Sequence, residues 1–139
     1  MVVDVANVMG ARPDGWWRDR VGAAVRLGRE VEALARRRDE ATAHVGEWVL
    51  VLEGQARPAA AMLRADEAGE GGEAGEGEPP RVRYVSAAGS GDDAIVGVVA
   101  EVVAQGEACL VVTADRELRR RCEQLNASVV GPRWLLELF

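Results

Sequence analysis

The chain contains no lysine, a single histidine and only two cysteines, and these shortages exclude several kinds of chemistry. His44 alone cannot supply the histidine clusters found in most zinc sites and in many acid–base enzymes. Cys109 and Cys122 lack the spacing of a zinc site or of a disulfide framework, so we expect two unlinked thiols, as in a reducing compartment. Any bound metal would therefore have to be held by oxygen ligands.

Long apolar runs are also missing. No run approaches the roughly 18 residues that cross a membrane, and the amino terminus has neither the basic segment nor the cleavage site of a secretory signal. We therefore expect a cytoplasmic protein without a membrane partner. Aromatic residues make up 4% of the chain and hydrophobic residues 48%. This balance predicts one domain over residues 1–139, with a core of small and branched side chains.

Negative charge is concentrated in one segment. The net charge is −6, and residues 65–80 hold six acids and no base, so the rest of the chain is nearly neutral. Gly, Glu and Ala dominate this segment and cannot bury apolar surface. We interpret 65–80 as a disordered acidic insertion, either a passive linker or a nucleic-acid mimic that covers the active site. All 17 basic residues are arginine, which suits bidentate phosphate contacts, although a GC-rich coding sequence gives the same bias.

Apolar patterning predicts strands that alternate with helices. The predicted strands are residues 1–8, 48–52, 81–87, 108–113 and 128–130. The predicted helices are residues 16–38, 57–64, 90–105, 115–125 and 132–139. This alternation is typical of a three-layer α/β/α sandwich with a central, mostly parallel sheet of four to five strands.

Carboxylates lie at or just beyond three of the apolar runs. They are Asp4 in Val-Val-Asp-Val-Ala-Asn (2–7), Asp92 and Asp93 in Gly-Ser-Gly-Asp-Asp-Ala-Ile (89–95), and Asp115 in Val-Val-Thr-Ala-Asp-Arg (111–116). Ligands of open α/β sheets bind outside the carboxyl ends of the strands. Hard divalent cations take oxygen ligands and neutralise the attacking and leaving oxygens of phosphodiester hydrolysis. The spacing therefore indicates a metal-dependent hydrolase.

Structural explanations compete with this interpretation. Ser90 with Asp93 matches a capping box, and Asp115 is a suitable N-cap for the helix after it. Asp4 differs, because an acid inside a strand has no capping role and strands disfavour aspartate. We therefore attribute Asp4 to function and leave both interpretations open for the other acids.

Polar residues beside these acids are further candidates. Asn7, expected in the loop just past the first strand, would position a water or Asp4, or act only as a turn residue. Thr113 would bond a metal-bound water or merely its neighbouring backbone. Glu53, at the end of the second strand, would join the acids or simply enter a turn.

Arginine and tryptophan supply candidate contacts to a nucleic acid. Arg116 follows an acid, where it would contact phosphate, whereas residues 119–121 are better explained as a solvated helix face. Trp16 and Trp17 suggest base stacking, but we expect them to pack in the core, above all Trp17. The predicted substrate-binding residues are Arg12, Ser90, Thr113 and Arg116.

Taken as a set, three motifs resemble the NYN branch of the PIN-like nucleases. They are Asp-x-x-Asn at 4–7, Gly-Asp-Asp-Ala-Ile at 91–95 and Thr-Ala-Asp-Arg-Glu-Leu at 113–118. The resemblance covers nearly the whole chain outside the acidic insertion, and it implies a Mg²⁺- or Mn²⁺-dependent ribonuclease. It also implies that Asp4, Asp93 and Asp115 are metal ligands. Asp92 would then be a supporting acid, and Asn7 would support a ligand or position the substrate.

The chain departs from that family at two places. Relatives commonly end the second strand with Phe-Asp-Gly, whereas this chain has Leu52-Glu53-Gly54, an acid changed in length and kept in charge. Met1 lies only three residues before Asp4, which leaves a short first strand.

The leading hypothesis is endonucleolytic hydrolysis of single-stranded RNA by metal-activated water. The alternatives are a nucleoside triphosphate pyrophosphohydrolase and a non-catalytic module that binds RNA or protein. An aspartyl phosphatase is disfavoured because Ala6 stands where a second acid is expected, and a receiver domain because the chain has no lysine. A homodimer or a protein partner is left open.

Overall fold

Five parallel strands form the central sheet of the protein, whose computed structural model describes residues 1–67 and 80–139. They are β1 (Val2–Asp4), β2 (Glu47–Leu52), β3 (Arg81–Ser86), β4 (Leu110–Val112) and β5 (Ser128–Val130). Their spatial order is β3-β2-β1-β4-β5, and each neighbouring pair is parallel. The order reverses between β1 and β4, which is the place where ligands of open α/β sheets bind.

Helices cover both faces of this sheet. They are α1 (Val5–Gly10), α2 (Arg20–Arg37), α3 (Ala59–Glu67), α4 (Gly91–Ala104), α5 (Arg116–Gln124) and α6 (Pro132–Leu136). Short 3₁₀ turns occupy Trp16–Arg18 and Gly54–Ala56. Buried residues of α1, α2, α3 and α6 share one core, and those of α4 and α5 share the other. The α/β/α sandwich predicted from the alternation of strands and helices is confirmed.

The alternating side chains of β2 pack into both hydrophobic cores, one on each face of the sheet. Trp48 and Leu50 face the core shared with α2, whereas Val49 and Val51 face the core shared with α4. All four are at most 2% exposed. A strand that is buried on both faces reads as a continuous apolar run, because successive side chains point to opposite sides of the sheet.

The first strand is shorter than predicted. We expected it to cover residues 1–8, but β1 ends at Asp4 and α1 begins at Val5. The Asp4 side chain accepts a hydrogen bond from the backbone N–H of Asn7, which makes Asp4 the N-cap of α1. The prediction that Asp4 has no capping role is therefore wrong, as is the placement of Asn7 in a loop.

The long helix also differs from its predicted pattern. It begins at Arg20 rather than near residue 16, because Asp19 accepts a hydrogen bond from the N–H of Gly22 and caps it. Trp17, predicted to lie in the buried stripe, is 55% exposed. Leu27 and Leu34 fill that stripe instead and are at most 1% exposed.

Of the acidic segment, residues 65–80, the structure describes only the two ends. The helix predicted before it is confirmed as α3, which continues to Glu67 and so includes the first residues of the predicted insertion. The interpretation of the rest as disordered falls on residues 68–79, which lie outside the described residues. In the parts that are described, no helix has both the length and the apolar character needed to cross a membrane.

Candidate active site at the carboxyl edge of the sheet

Asp4 lies at the end of the central strand and is 7% exposed. Its Oδ1 accepts the N–H of Asn7 at 3.3 Å. Its Oδ2 accepts the hydroxyl of Thr113, which is itself 2% exposed, at 2.9 Å. Both carboxylate oxygens thus have a protein donor, which is what a buried charged group requires.

The connection after β4 is tied to the start of α1. The N–H of Ala114 donates to Oδ1 of Asn7 at 2.8 Å, and the N–H of Asp115 donates to Oγ of Thr113 at 3.1 Å. Asp115 caps α5, because its Oδ1 accepts the N–H of Leu118 at 2.9 Å. Asn7 therefore holds the β4–α5 connection in place, a role that its position in the sequence did not indicate.

Glu53 reaches from the end of β2 to the first turn of α4. Its Oε2 accepts the N–H of Gly91 at 2.6 Å. A Cβ atom at Gly91 would lie 2.6 Å from the same oxygen, closer than real Cβ contacts come. A side chain at position 91 would therefore displace the Glu53 carboxylate from this hydrogen bond. The sequence left open whether Glu53 joins the acids or enters a turn. The glycine before Asp92 and Asp93 was the signal that a side chain approaches the backbone there.

The two neighbouring aspartates of α4 face different surroundings. Asp93 is 75% exposed in its side chain, and its Oδ1 accepts from Arg121 at 2.9 Å. Asp92 is half-buried and lies within electrostatic range of Asp115 and Glu53. Of the two, Asp92 is thus the one that lies within electrostatic range of the other acids, whereas the resemblance implies that Asp93 is the metal ligand.

Four carboxylates form what we call the acid cluster: Asp4, Glu53, Asp92 and Asp115. Burial raises the pKa of Asp4 from 3.8 to about 6, against the hydrogen bonds from Thr113 and Asn7, and the charges of Asp92 and Glu53 add to the rise. Burial likewise raises the pKa of Asp92, with Asp115 and Glu53 adding to the effect and Arg121 opposing it. The cluster therefore stores electrostatic repulsion, which a proton or a cation would relieve.

The predicted substrate-binding residues are dispersed. Arg12 makes two hydrogen bonds to Glu30, one of them at 2.8 Å, and its guanidinium carbon lies 5.4 Å from the centroid of the Phe139 ring. Its guanidinium is thus already engaged, and the structure does not support a role for it in phosphate binding. Ser90 caps α4 through a 3.2 Å hydrogen bond from the N–H of Asp93. Arg116, in contrast, is exposed next to Asp115.

The helix that carries Arg116 has two kinds of arginine. Arg119 pairs with Glu123 at 3.2 Å, and Arg121 pairs with Asp93 at 2.9 Å. Within the residues that the structure describes, Arg116 and Arg120 are exposed and have no carboxylate partner. They lie four residues apart, so they share one face of α5.

The donor set suits a hard divalent cation in kind, because it consists of carboxylates and a hydroxyl. Across residues 1–67 and 80–139, however, no three His, Cys, Asp or Glu side chains lie close enough together to hold a metal ion. Asp4, Glu53 and Asp115 instead accept hydrogen bonds from helix N-termini. A Mg²⁺ or Mn²⁺ ion shared by Asp4, Asp92 and Asp115 would therefore require these side chains to rotate towards one another.

The thiols offer no competing chemistry. Cys109 and Cys122 are both buried and free. Burial raises the pKa of Cys122 to about 11, and it also raises the pKa of Cys109. Both side chains stay protonated at neutral pH, whereas the thiolate is the nucleophilic form.

Comparison of the chain with protein-family models, with curated proteins and with solved structures found no match. The motif resemblance to the NYN branch thus remains a prediction. Function has to be inferred from the residues of the site and their geometry.

Proposed function

We propose that the protein is a metal-dependent ribonuclease whose active site is the acid cluster. The observation that carries this proposal is that the four carboxylates lie at or after the ends of four different strands. Asp4 ends β1, and Glu53, Asp92 and Asp115 follow β2, β3 and β4, so that the four acids lie within electrostatic range of one another beside the reversal of strand order. Helix capping alone does not require acids that lie within electrostatic range of one another, because a neutral serine can cap a helix, as Ser90 caps α4.

The loss of stability that a buried Asp4 carboxylate causes also supports a functional role for this residue. Asp4 is nearly buried and its pKa is raised to about 6, so its charge at neutral pH opposes folding. A group retained in a strained or destabilising environment is more typical of an active site than of a structural element. The motif resemblance to the NYN branch points to the same chemistry, and Mg²⁺ or Mn²⁺ is the proposed cofactor.

Within the proposal, each residue has a defined task. Asp4, Asp92 and Asp115 would hold the metal, which when bound supplies charge neutralisation at the phosphate. Thr113 and Asn7 fix Asp4 and the β4–α5 connection, so that Asp4 and Asp115 keep a set separation. Arg116 and Arg120 would contact backbone phosphates and position the strand without reading its sequence.

The proposal is tested by cleavage of a labelled single-stranded RNA. Purified protein is incubated with Mn²⁺, with Mg²⁺ or with a chelator, alongside the Asp4→Asn variant. We expect cleavage that needs the metal and is lost in the variant, while circular dichroism shows that the fold is kept. Metal-independent cleavage, or full activity in Asp4→Asn, would overturn the assignment.

A nucleoside triphosphate is included as a second substrate. Its turnover without RNA cleavage would identify the protein as a pyrophosphohydrolase, because the same carboxylates would suit either phosphate reaction. The second alternative, a non-catalytic binding module, is favoured by one observation: Asp4 and Asp115 each cap a helix. RNA binding in chelator with no turnover of either substrate would support that module.

We also propose a cytoplasmic location. The support is that Cys109 and Cys122 are both unpaired, as is usual for proteins of reducing compartments. Survival of both free thiols in protein isolated under non-reducing conditions, measured by thiol labelling, tests this point.

A further inference from the structure

Trp17 is the most exposed large hydrophobic residue described in the structure, at 55%. Trp48, by comparison, is fully buried. Leaving an indole in water forgoes the stabilisation that its burial would provide, and an exposed aromatic surface is what a stacking ligand needs.

The indole is presented by a rigid turn rather than by a loose loop. Gly15 has the left-handed φ of 78° that opens the 3₁₀ turn. The N–H of Arg18 donates to the carbonyl of Gly15 at 3.0 Å, and the N–H of Asp19 donates to the carbonyl of Trp16 at 3.3 Å. The rings of Trp16 and Trp17 meet edge to face with centroids 6.0 Å apart. A ring held in this way loses little conformational entropy when it binds.

An arginine side chain lies near each of the two indole rings. The guanidinium carbon of Arg18 lies 5.9 Å from the centroid of the Trp17 ring, and that of Arg20 lies 5.4 Å from the centroid of the Trp16 ring. In the described part of the chain, neither arginine forms an ion pair with a carboxylate. The surface therefore offers an aromatic face together with positive charge, a combination that suits a base with its attached phosphate.

This surface lies towards the edge of the sheet that carries the acid cluster. Helix α2 leads into β2, which begins at the amino edge, so α2 runs antiparallel to the strands and starts on the carboxyl side. It also packs against the Gly54–Ala56 turn that directly follows Glu53. Because the acid cluster repels phosphate, the affinity for RNA has to come from cations and aromatic surface outside it.

We propose that Trp17 stacks on an unpaired base of single-stranded RNA while Arg18 contacts the adjacent phosphate. The inference rests on the proposed ribonuclease function and adds a substrate-binding position to it. Stacking is tolerant of sequence, because every base has a π face. The proposed site therefore favours unpaired strands without selecting a particular base.

The test measures RNA binding separately from cleavage. The affinity for a labelled single-stranded oligonucleotide is measured in chelator for the wild type, Trp17→Ala, Trp17→Phe and Met62→Ala. Met62 is the matched control, because it is 50% exposed and lies on α3. We expect Trp17→Ala to weaken binding about 5- to 100-fold, Trp17→Phe to weaken it less, and Met62→Ala to leave it unchanged.

An oligonucleotide with abasic positions separates base stacking from phosphate contact. Wild type and Trp17→Ala should bind the abasic strand equally weakly, since no base is available to stack. With Mn²⁺ or Mg²⁺ present, Trp17→Ala should raise KM and leave kcat unchanged, as expected for a contact made equally in the ground state and the transition state.

The outcomes separate the two proposals. If the wild type cleaves RNA and Trp17→Ala has the affinity and KM of Met62→Ala, the stacking site is refuted and the nuclease stands. If Trp17→Ala weakens binding to intact RNA but no variant cleaves, the stacking site stands and the nuclease is refuted. A wild type that neither binds nor cleaves RNA overturns both.

Discussion

Replacing Asp4 by asparagine should stabilise the folded protein above neutral pH while it removes the proposed activity. Burial raises the pKa of Asp4 in the folded state to about 6, against 3.8 as the ordinary value. A difference of about 2 units corresponds to about 3 kcal/mol of folding free energy lost when the carboxyl ionises. Asparagine has the same shape and carries no charge, so it avoids this loss.

Whether the contribution of Asp4 to stability rises or falls with pH depends on whether the folded or the unfolded state binds its proton more tightly. The folded state does, so the contribution of Asp4 to stability is complete below a pH of 3.8 and is lost as the pH rises through about 6. Asparagine can still accept the N–H of Asn7, but it gives up the charge-assisted bond with Thr113, at a cost of about 1–2 kcal/mol. The net gain should be about 1–2 kcal/mol near pH 8 and should become a loss of about 1 kcal/mol near pH 4, because the stability of the wild type changes with the ionisation of Asp4 and that of the variant does not.

Urea denaturation of wild type and variant across this pH range measures the difference. Asp93→Asn is the control, because it makes the same substitution at a side chain that is 75% exposed. A gap between wild type and Asp4→Asn that does not change with pH would refute the reasoning. So would an Asp4→Asn protein that is less stable than wild type near pH 8.

Two further predictions address the contacts around the acid cluster. Gly91→Ala should lower the unfolding free energy by about 1 kcal/mol, because its Cβ would push the Glu53 carboxylate away from the N–H of residue 91. Gly97→Ala in the same helix has nothing within 4 Å and should raise it by about 0.5–1 kcal/mol; equal thermal shifts would contradict this contrast. Thr113→Val removes the hydroxyl that lowers the pKa of Asp4, so the acid limb of the pH–rate profile should move up by about one unit. An unmoved profile would show that this bond does not tune Asp4.

Local signals were sufficient for much of the fold. Strand β5 has its predicted bounds, Ser128–Val130, and Ser90 and Asp115 cap helices as their neighbours indicate. Each of these features depends on a few adjacent residues, and the apolar periodicity reports which faces are buried. Such patterns can be recognised in one sequence because the cause and its effect lie close together along the chain.

The errors arose where distant parts of the chain decide the outcome. Val-Val-Asp-Val-Ala-Asn is compatible with a continued strand, and the helix after Asp4 forms where α1 packs against α2 and α6. Whether Asp92 or Asp93 faces the acid cluster depends on the rotation of α4 against the sheet, which neighbouring acids cannot reveal. Trp17 fits the periodicity of a buried stripe, but it lies outside α2, because the N-cap at Asp19 makes the helix begin at Arg20.

The adjacent pair Asp92 and Asp93 provides the most direct test of the proposed active site. RNA cleavage with Mn²⁺ is compared for Asp92→Asn and Asp93→Asn, which remove the same charge one residue apart. Asp92 belongs to the acid cluster, whereas Asp93 pairs with Arg121 at 2.9 Å. We expect Asp92→Asn to lower kcat about 100-fold or more, with Asp93→Asn close to wild type. Wild-type cleavage by Asp92→Asn, or a loss confined to Asp93→Asn, would contradict the proposed active site.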